Sequence, residues 1–145
     1  KKLLENFFLW CKNVKMKNVL SQCPQILDFP LILIKARKYG LEIPYHYRAF
    51  DLHTIASMRY FEINKKFLMD KDHSGMSLSN ALKLCGLPDN RMSIDNGIVI
   101  KEGKPHNALE DAKLTAECFS RLVYCRTLLE EYSKYKIPEE LARWI

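Results

Sequence analysis

The stretch KPHNALEDAKLTAECFSRL (Lys104–Leu122) decides how this chain is read. Asn107 is a good helix N-cap, and Glu110 three residues on is the partner of a capping box. The register predicts a helix from near Ala108 to about Lys134. It makes His106 the N′ residue and Asp111 the N4 residue, the two positions whose side chains meet across the first turn. Two apolar residues normally meet there as a staple; here the pair is an imidazole and a carboxylate. Ala108, Leu109, Ala112, Ala116, Phe119 and Val123 are left to form the expected buried face. A carboxylate near a helix N-terminus is favoured as the anion, and that suits it to a hard divalent cation.

Upstream, Lys2–Lys12 carries Leu3, Leu4, Phe7, Phe8 and Cys11 at helical spacing. Asn18–Gln22 is short enough for a buried strand, with Pro24 behind it. Asp28–Tyr39 reads as a helix that tolerates Pro30 in its first turn and ends at Gly40. Leu41–Phe50 contains a proline and predicts a short or edge strand. Asp51–Asn64 has a helical period, with Leu52, Ile55, Ala56, Met58, Tyr60 and Phe61 on one broad face. Lys65–Gly75 is charged and turn-rich, as a surface insertion would be. Ser77 caps a short helix closed by Gly86 and Pro88, Asn96-Gly97 signals a hairpin turn, and Pro138 opens a last short helix. Mixed strands and helices, with helices dominating, predict an α/β class. Trp10 and Trp144 read as packing residues, and His46 and His53 as structural ones.

The 145 residues are 48% hydrophobic and 28% charged, ordinary for one globular domain. No run approaches the roughly 18 apolar residues of a membrane helix. Five scattered cysteines with no CxxC pair predict free thiols in a reducing cytoplasm rather than a zinc site or disulfide framework. A net charge of +6 permits a polyanionic partner without demanding one.

HNALEDAKLTA resembles the third motif of the DEDDh family of 3′–5′ exonucleases, H-x-A-L-x-D-A-x-x-T-A: His106, Ala108, Leu109, Asp111, Ala112, Thr115 and Ala116 match it together. FDLHTIASM and MSLSNALKLCGLP resemble the family's Asp-led helix and its SLxxL helix, so the resemblance spans Leu3–Tyr124. It implies an RNase H-like fold, a mixed sheet flanked by helices, and a two-metal hydrolysis of phosphodiester bonds. Four carboxylates would hold two Mg²⁺ or Mn²⁺ ions that activate water and stabilise the leaving oxygen, with a histidine as general base. Carried over by position, His106 is that base, Asp111 a direct metal ligand and Asn107 a substrate-binding residue. Two residues compete for the second-motif acid. HYRAFD, ending in Asp51, fits the letters; Asp28, which follows the Asn18–Gln22 strand and opens a helix, fits the order of elements and is preferred as catalytic residue and metal ligand. The usual Asn of that motif is absent, with Pro24 or Cys23 in its place.

The family's first motif, D-x-E on the opening strand, is not found: Glu5 is the one acid before Asp28. The expectation is an exonuclease domain lacking its opening strands, with core about 3–132 and a helical tail at 133–145, weakly active or inactive alone. Its partners would be single-stranded DNA or RNA 3′ ends, with a polymerase or a chain supplying the missing strands, and no membrane. Two alternatives stand beside it: a non-catalytic exonuclease-like module that binds nucleic acid or protein, and a small helical interaction protein with a chance motif.

Overall fold

Glycine and proline punctuate the chain where the sequence says they should. The computed structural model describes residues 1–16, 18–24, 28–95, 98–101, 103 and 107–142. These are mixed α and β with small two-stranded sheets, and they fall into two compact units, Lys1–Asp51 and Leu52–Ile145.

In the first unit, α1 (Lys2–Asn13) buries Phe8 and Cys11. Phe7 and Phe8 each meet the Tyr45 ring at 6.3 Å, and Phe29 reaches the same ring at 6.4 Å. These edge-on and tilted pairs tie α1 to the extended segment before the second strand. Trp10, expected to pack inward, is half-exposed and stacks on Phe7. Strand β1 (Val19–Ser21) runs parallel to β2 (Ala49–Asp51), with Ser21 opposite Asp51. The crossover between them is α2 (Asp28–Tyr39), as parallel strands require. Its end is a Schellman motif: Leu41 N–H donates to the Ala36 carbonyl and Gly40 N–H to that of Arg37. Gly40 holds φ +63°, the left-handed turn that glycine adopts without a Cβ penalty. Of the expected Leu41–Phe50 strand only Ala49 and Phe50 pair, and the pairing runs on to Asp51; Pro44 has no N–H to give a ladder.

In the second unit, α3 (Leu52–Asn64), α4 (Leu78–Leu84) and α5 (Ala108–Tyr124) pack on one another around Leu52, Ala56, Met76, Leu82, Cys118 and Leu122. Asp51 closes β2 rather than opening α3. Within the Lys65–Gly75 insertion, β3 (Met69–Asp70) and β4 (His73–Ser74) form a minimal hairpin. Ser77 caps α4 as expected, accepting from Asn80 N–H. A second Schellman motif, Leu87 N–H to Leu82 and Gly86 N–H to Lys83, ends it. β5 (Ser93–Asp95) and β6 (Ile98–Lys101) pair antiparallel with Asp95 opposite Ile98; the expected Asn96-Gly97 turn between them lies outside the described residues. The chain closes with α6 (Glu139–Ala142); Trp144 is outside the described residues. All five cysteines are free thiols. No helix of the described residues is long and apolar enough to cross a membrane.

Two expectations for α5 are corrected. It stops at Tyr124, not Lys134, and it buries a different face. Leu114, Thr115, Glu117, Cys118, Ser120, Arg121 and Leu122 are buried, whereas Leu109 is 65% and Val123 40% exposed. Ala108 and Ala112 are exposed as well. The cause of both is a buried ion pair. Arg121 Nε donates to Glu117 Oε1 at 2.7 Å, with both side chains wholly out of solvent. The guanidinium also reaches the carbonyls of Cys85, Tyr132 and Tyr135 and, at 3.5 Å, the Thr127 hydroxyl. Glu117 Oε2 accepts from the Leu128 and Leu129 N–H groups, both at 2.9 Å. The pair therefore pulls the chain after Cys125, itself in the left-handed region at φ +49°, back across the helix that carries it.

Candidate functional site

The predicted site residues fall in two groups, one in each unit. In the first, Asp28 opens α2. Its Oδ2 accepts from the Ser21 hydroxyl at 2.9 Å. Ser21 ends β1, in register with Asp51 at the end of β2. Asp51 Oδ1 in turn accepts the Cys23 N–H at 3.0 Å. Both rival acids thus gather at the C-terminal end of one parallel strand pair, the end at which open α/β sheets place their ligands. Asp28 is exposed and Asp51 partly covered. Cys23 sits at φ +51°. Burial raises its thiol above the usual value and the Asp51 charge adds to that, so the sulfur is held protonated.

In the second unit, the first turn of α5 forms as its letters say. Asn107 Oδ1 accepts from the N–H groups of Leu109 and Glu110 at 3.0 and 3.2 Å. Glu110, the expected return arm of the capping box, instead pairs with Lys113 at 3.3 Å. Asp111 stands at N4, with its backbone N–H on the Asn107 carbonyl. His106, the expected base, lies outside the described residues.

Sequence reading missed Arg91. Its Nη1 donates to Asp111 Oδ1 at 3.1 Å, while Nε and Nη2 grip Asp89 in a two-point fork at 2.9 and 2.8 Å. Nη2 also reaches the Ser79 hydroxyl. Arg91 and Asp89 are largely buried, at 12% and 16% side-chain exposure. An Asp-x-Arg spacing was the one available signal, but only the fold brings Asp111 to it. Gly103 fixes the backbone of this clamp: a Cβ there would lie 2.7 Å from the Asn90 carbonyl oxygen and the Arg91 carbonyl carbon. Among the described residues, no three His, Cys, Asp or Glu side chains gather as a metal site.

The clamp has a pH consequence. Hydrogen bonds from Arg91 hold the Asp89 carboxyl well below the usual carboxylate value of 3.8, more than burial raises it. A depressed folded value means the contribution is complete above the unfolded value and is lost as pH falls through the folded one. Wild-type stability should therefore fall between about pH 5 and about pH 2 by more than that of Asp89→Asn. Urea midpoints across that range measure the difference; parallel curves would show that Asp89 is not the group responsible.

Comparison of the chain with protein-family models, with curated proteins and with solved structures finds no match in any of the three.

Proposed function

We propose that this chain is part of a metal-dependent 3′–5′ exonuclease of the DEDDh type, with an RNase H-like fold, acting on single-stranded DNA or RNA 3′ ends. The observation that carries the reading is the entrance of α5. A capped helix presents a partly exposed carboxylate, Asp111, at the position of the family's third-motif acid. The order β1, Asp28, α2, β2, α3 agrees with the family layout. Asp28 and Asp111 would be the carboxylates that hold Mg²⁺ or Mn²⁺, being oxygen ligands of the kind these hard ions take. The ions when bound would supply Lewis acidity and an activated water. They are two of the four acids such a pair of ions needs, and the D-x-E motif is not found in the sequence before Asp28. His106 would take a proton from the attacking water, and Asn107, whose carboxamide oxygen is spent on the cap, would offer its N–H₂ to the strand.

A second reading, a non-catalytic module of the same descent, is favoured by Arg91. Its guanidinium already supplies Asp111 with a positive partner at 3.1 Å. One experiment separates the readings. The chain is incubated with Mn²⁺ and a 5′-labelled single-stranded oligonucleotide, beside Asp111→Ala, and melted with and without the metal. The exonuclease reading expects Mn²⁺ to raise the melting temperature of the wild type only, since a ligand that binds the native state stabilises it. Shortening of the oligonucleotide is expected to be weak or nil in the chain alone. No metal-linked rise, with no shortening, would favour the non-catalytic module.

A further inference from the structure

Beside the first turn of α5, on the same turn that carries Asp111, the second unit holds a cleft of about 630 Å³. Asn107 and Glu110 form one edge of it, and the fold-back segment after α5 forms the other through Tyr132 and Tyr135. Its size is that of a small-molecule pocket. Two aromatic rings and the Leu114 side chain supply its apolar surface, and Asn90 and Asn107 supply amide groups at its rim. Burial, assisted by the charges of Glu131 and Glu110, raises the Tyr132 phenol, so it remains a protonated donor.

The charges say which part of a nucleotide would enter. Glu110 and Glu131 both line the cleft, bridged by Lys113 at 3.3 and 3.2 Å. Arg91 is committed to Asp89 and Asp111. Two carboxylates in the walls, offset by the one lysine that bridges them, leave no cation among the described residues free to hold a phosphate between them, whereas a neutral, flat, hydrogen-bonding heterocycle meets aromatic residues, amides and acceptors that suit it. Lys134, whose Nζ lies 5.2 Å from the Tyr135 ring centre, has no ion pair among the described residues and can meet the phosphate of the same nucleotide at the mouth.

We infer that this cleft takes an unpaired base near the 3′ end of a single-stranded nucleic acid, with Tyr135 and Tyr132 as its stacking surface. The inference rests on the exonuclease reading for the strand's polarity and goes beyond it in assigning the pocket. The Asp111 turn forms the cleft's edge, so the captured base should belong to one of the last three nucleotides.

The test is binding of the full chain to a fluorescein-labelled single strand of about eight nucleotides in EDTA, read by anisotropy without cleavage. Abasic nucleotides are placed in turn at each of the three 3′-terminal positions and at an internal one. Removing one 3′-proximal base is expected to weaken binding about 10-fold, the scale of one stacked base. Tyr135→Ala should bind the intact strand about 10-fold more weakly and become indifferent to the abasic position. Asn90→Ala, at an exposed residue of the rim, should show the same trend with the fold untouched. An intact strand that binds equally with or without each base overturns the pocket and leaves the exonuclease reading standing. A base effect unchanged by both variants places the base elsewhere and overturns it too. No binding by any strand overturns both.

Discussion

Replacing Arg121 by methionine is expected to cost about 3–5 kcal/mol of stability, the scale of breaking a buried ion pair by removing one partner. Against a total of about 5–15 kcal/mol for a domain, that is a large share. The Arg121–Glu117 pair has no solvent to fall back on. Loss of the guanidinium strands the Glu117 charge and frees the carbonyls of Cys85, Tyr132 and Tyr135. Arg121→Lys should restore only part of the loss, because an ammonium has three donors and no planar fork. The double variant Glu117→Leu/Arg121→Met should be less damaging than the sum of the singles, since the two act as one network. It should still fall short of wild type, because backbone groups from residues 128 to 135 lose their partners whichever side chain is removed. Urea unfolding of the wild type, the Arg121→Met, Arg121→Lys and Glu117→Leu variants and the double variant measures this, and a loss under about 1 kcal/mol in Arg121→Met would show that the fold-back is held by other contacts.

Gly86→Ala is expected to cost about 2–4 kcal/mol, combining left-handed strain with overpacking. Gly86 holds φ +69°, and a Cβ there would stand 2.8 Å from the Lys136 carbonyl oxygen and 3.0 Å from Pro138 Cδ. Neither is the yielding end of a flexible side chain. Gly40→Ala is the control: its φ of +63° is nearly the same, but a Cβ meets nothing within 4 Å. That change should cost only the strain, about 1–2 kcal/mol. The difference between the two isolates the packing of the 136–138 segment on the end of α4. Equal losses would mean that this segment yields freely. Both this prediction and the Arg121 one bear on the cleft, since residues 132 and 135 reach it only if the segment is folded back.

Local chemistry was legible in the letters. The limits of α2, its glycine ending, the Ser77 cap and the Asn107 cap all depend on residues within one turn of each other, and they stand in the structure as read. So does the order strand, helix, strand, helix that brings Asp28 and Asp51 to one end of a parallel pair. The buried face of α5 was not legible. Periodicity ranks Ala108, Leu109, Ala112 and Val123 as core and treats a Glu and an Arg four apart as a solvated surface pair. Arg91 escaped for the same reason: its partner Asp111 is 20 residues away.

The sequence by itself determined where helices begin and end when a cap or a glycine decides it, and it put a carboxylate in the first turn of α5. Only the tertiary structure decided what that helix buries, where the chain goes after Cys125, and what Asp111 touches. The physical reason is that a cap is satisfied by its own neighbours. A buried charge is tolerable only when donors and acceptors from distant segments converge on it. Here those groups come from Cys85 and from residues 127 to 135, and no local pattern announces them.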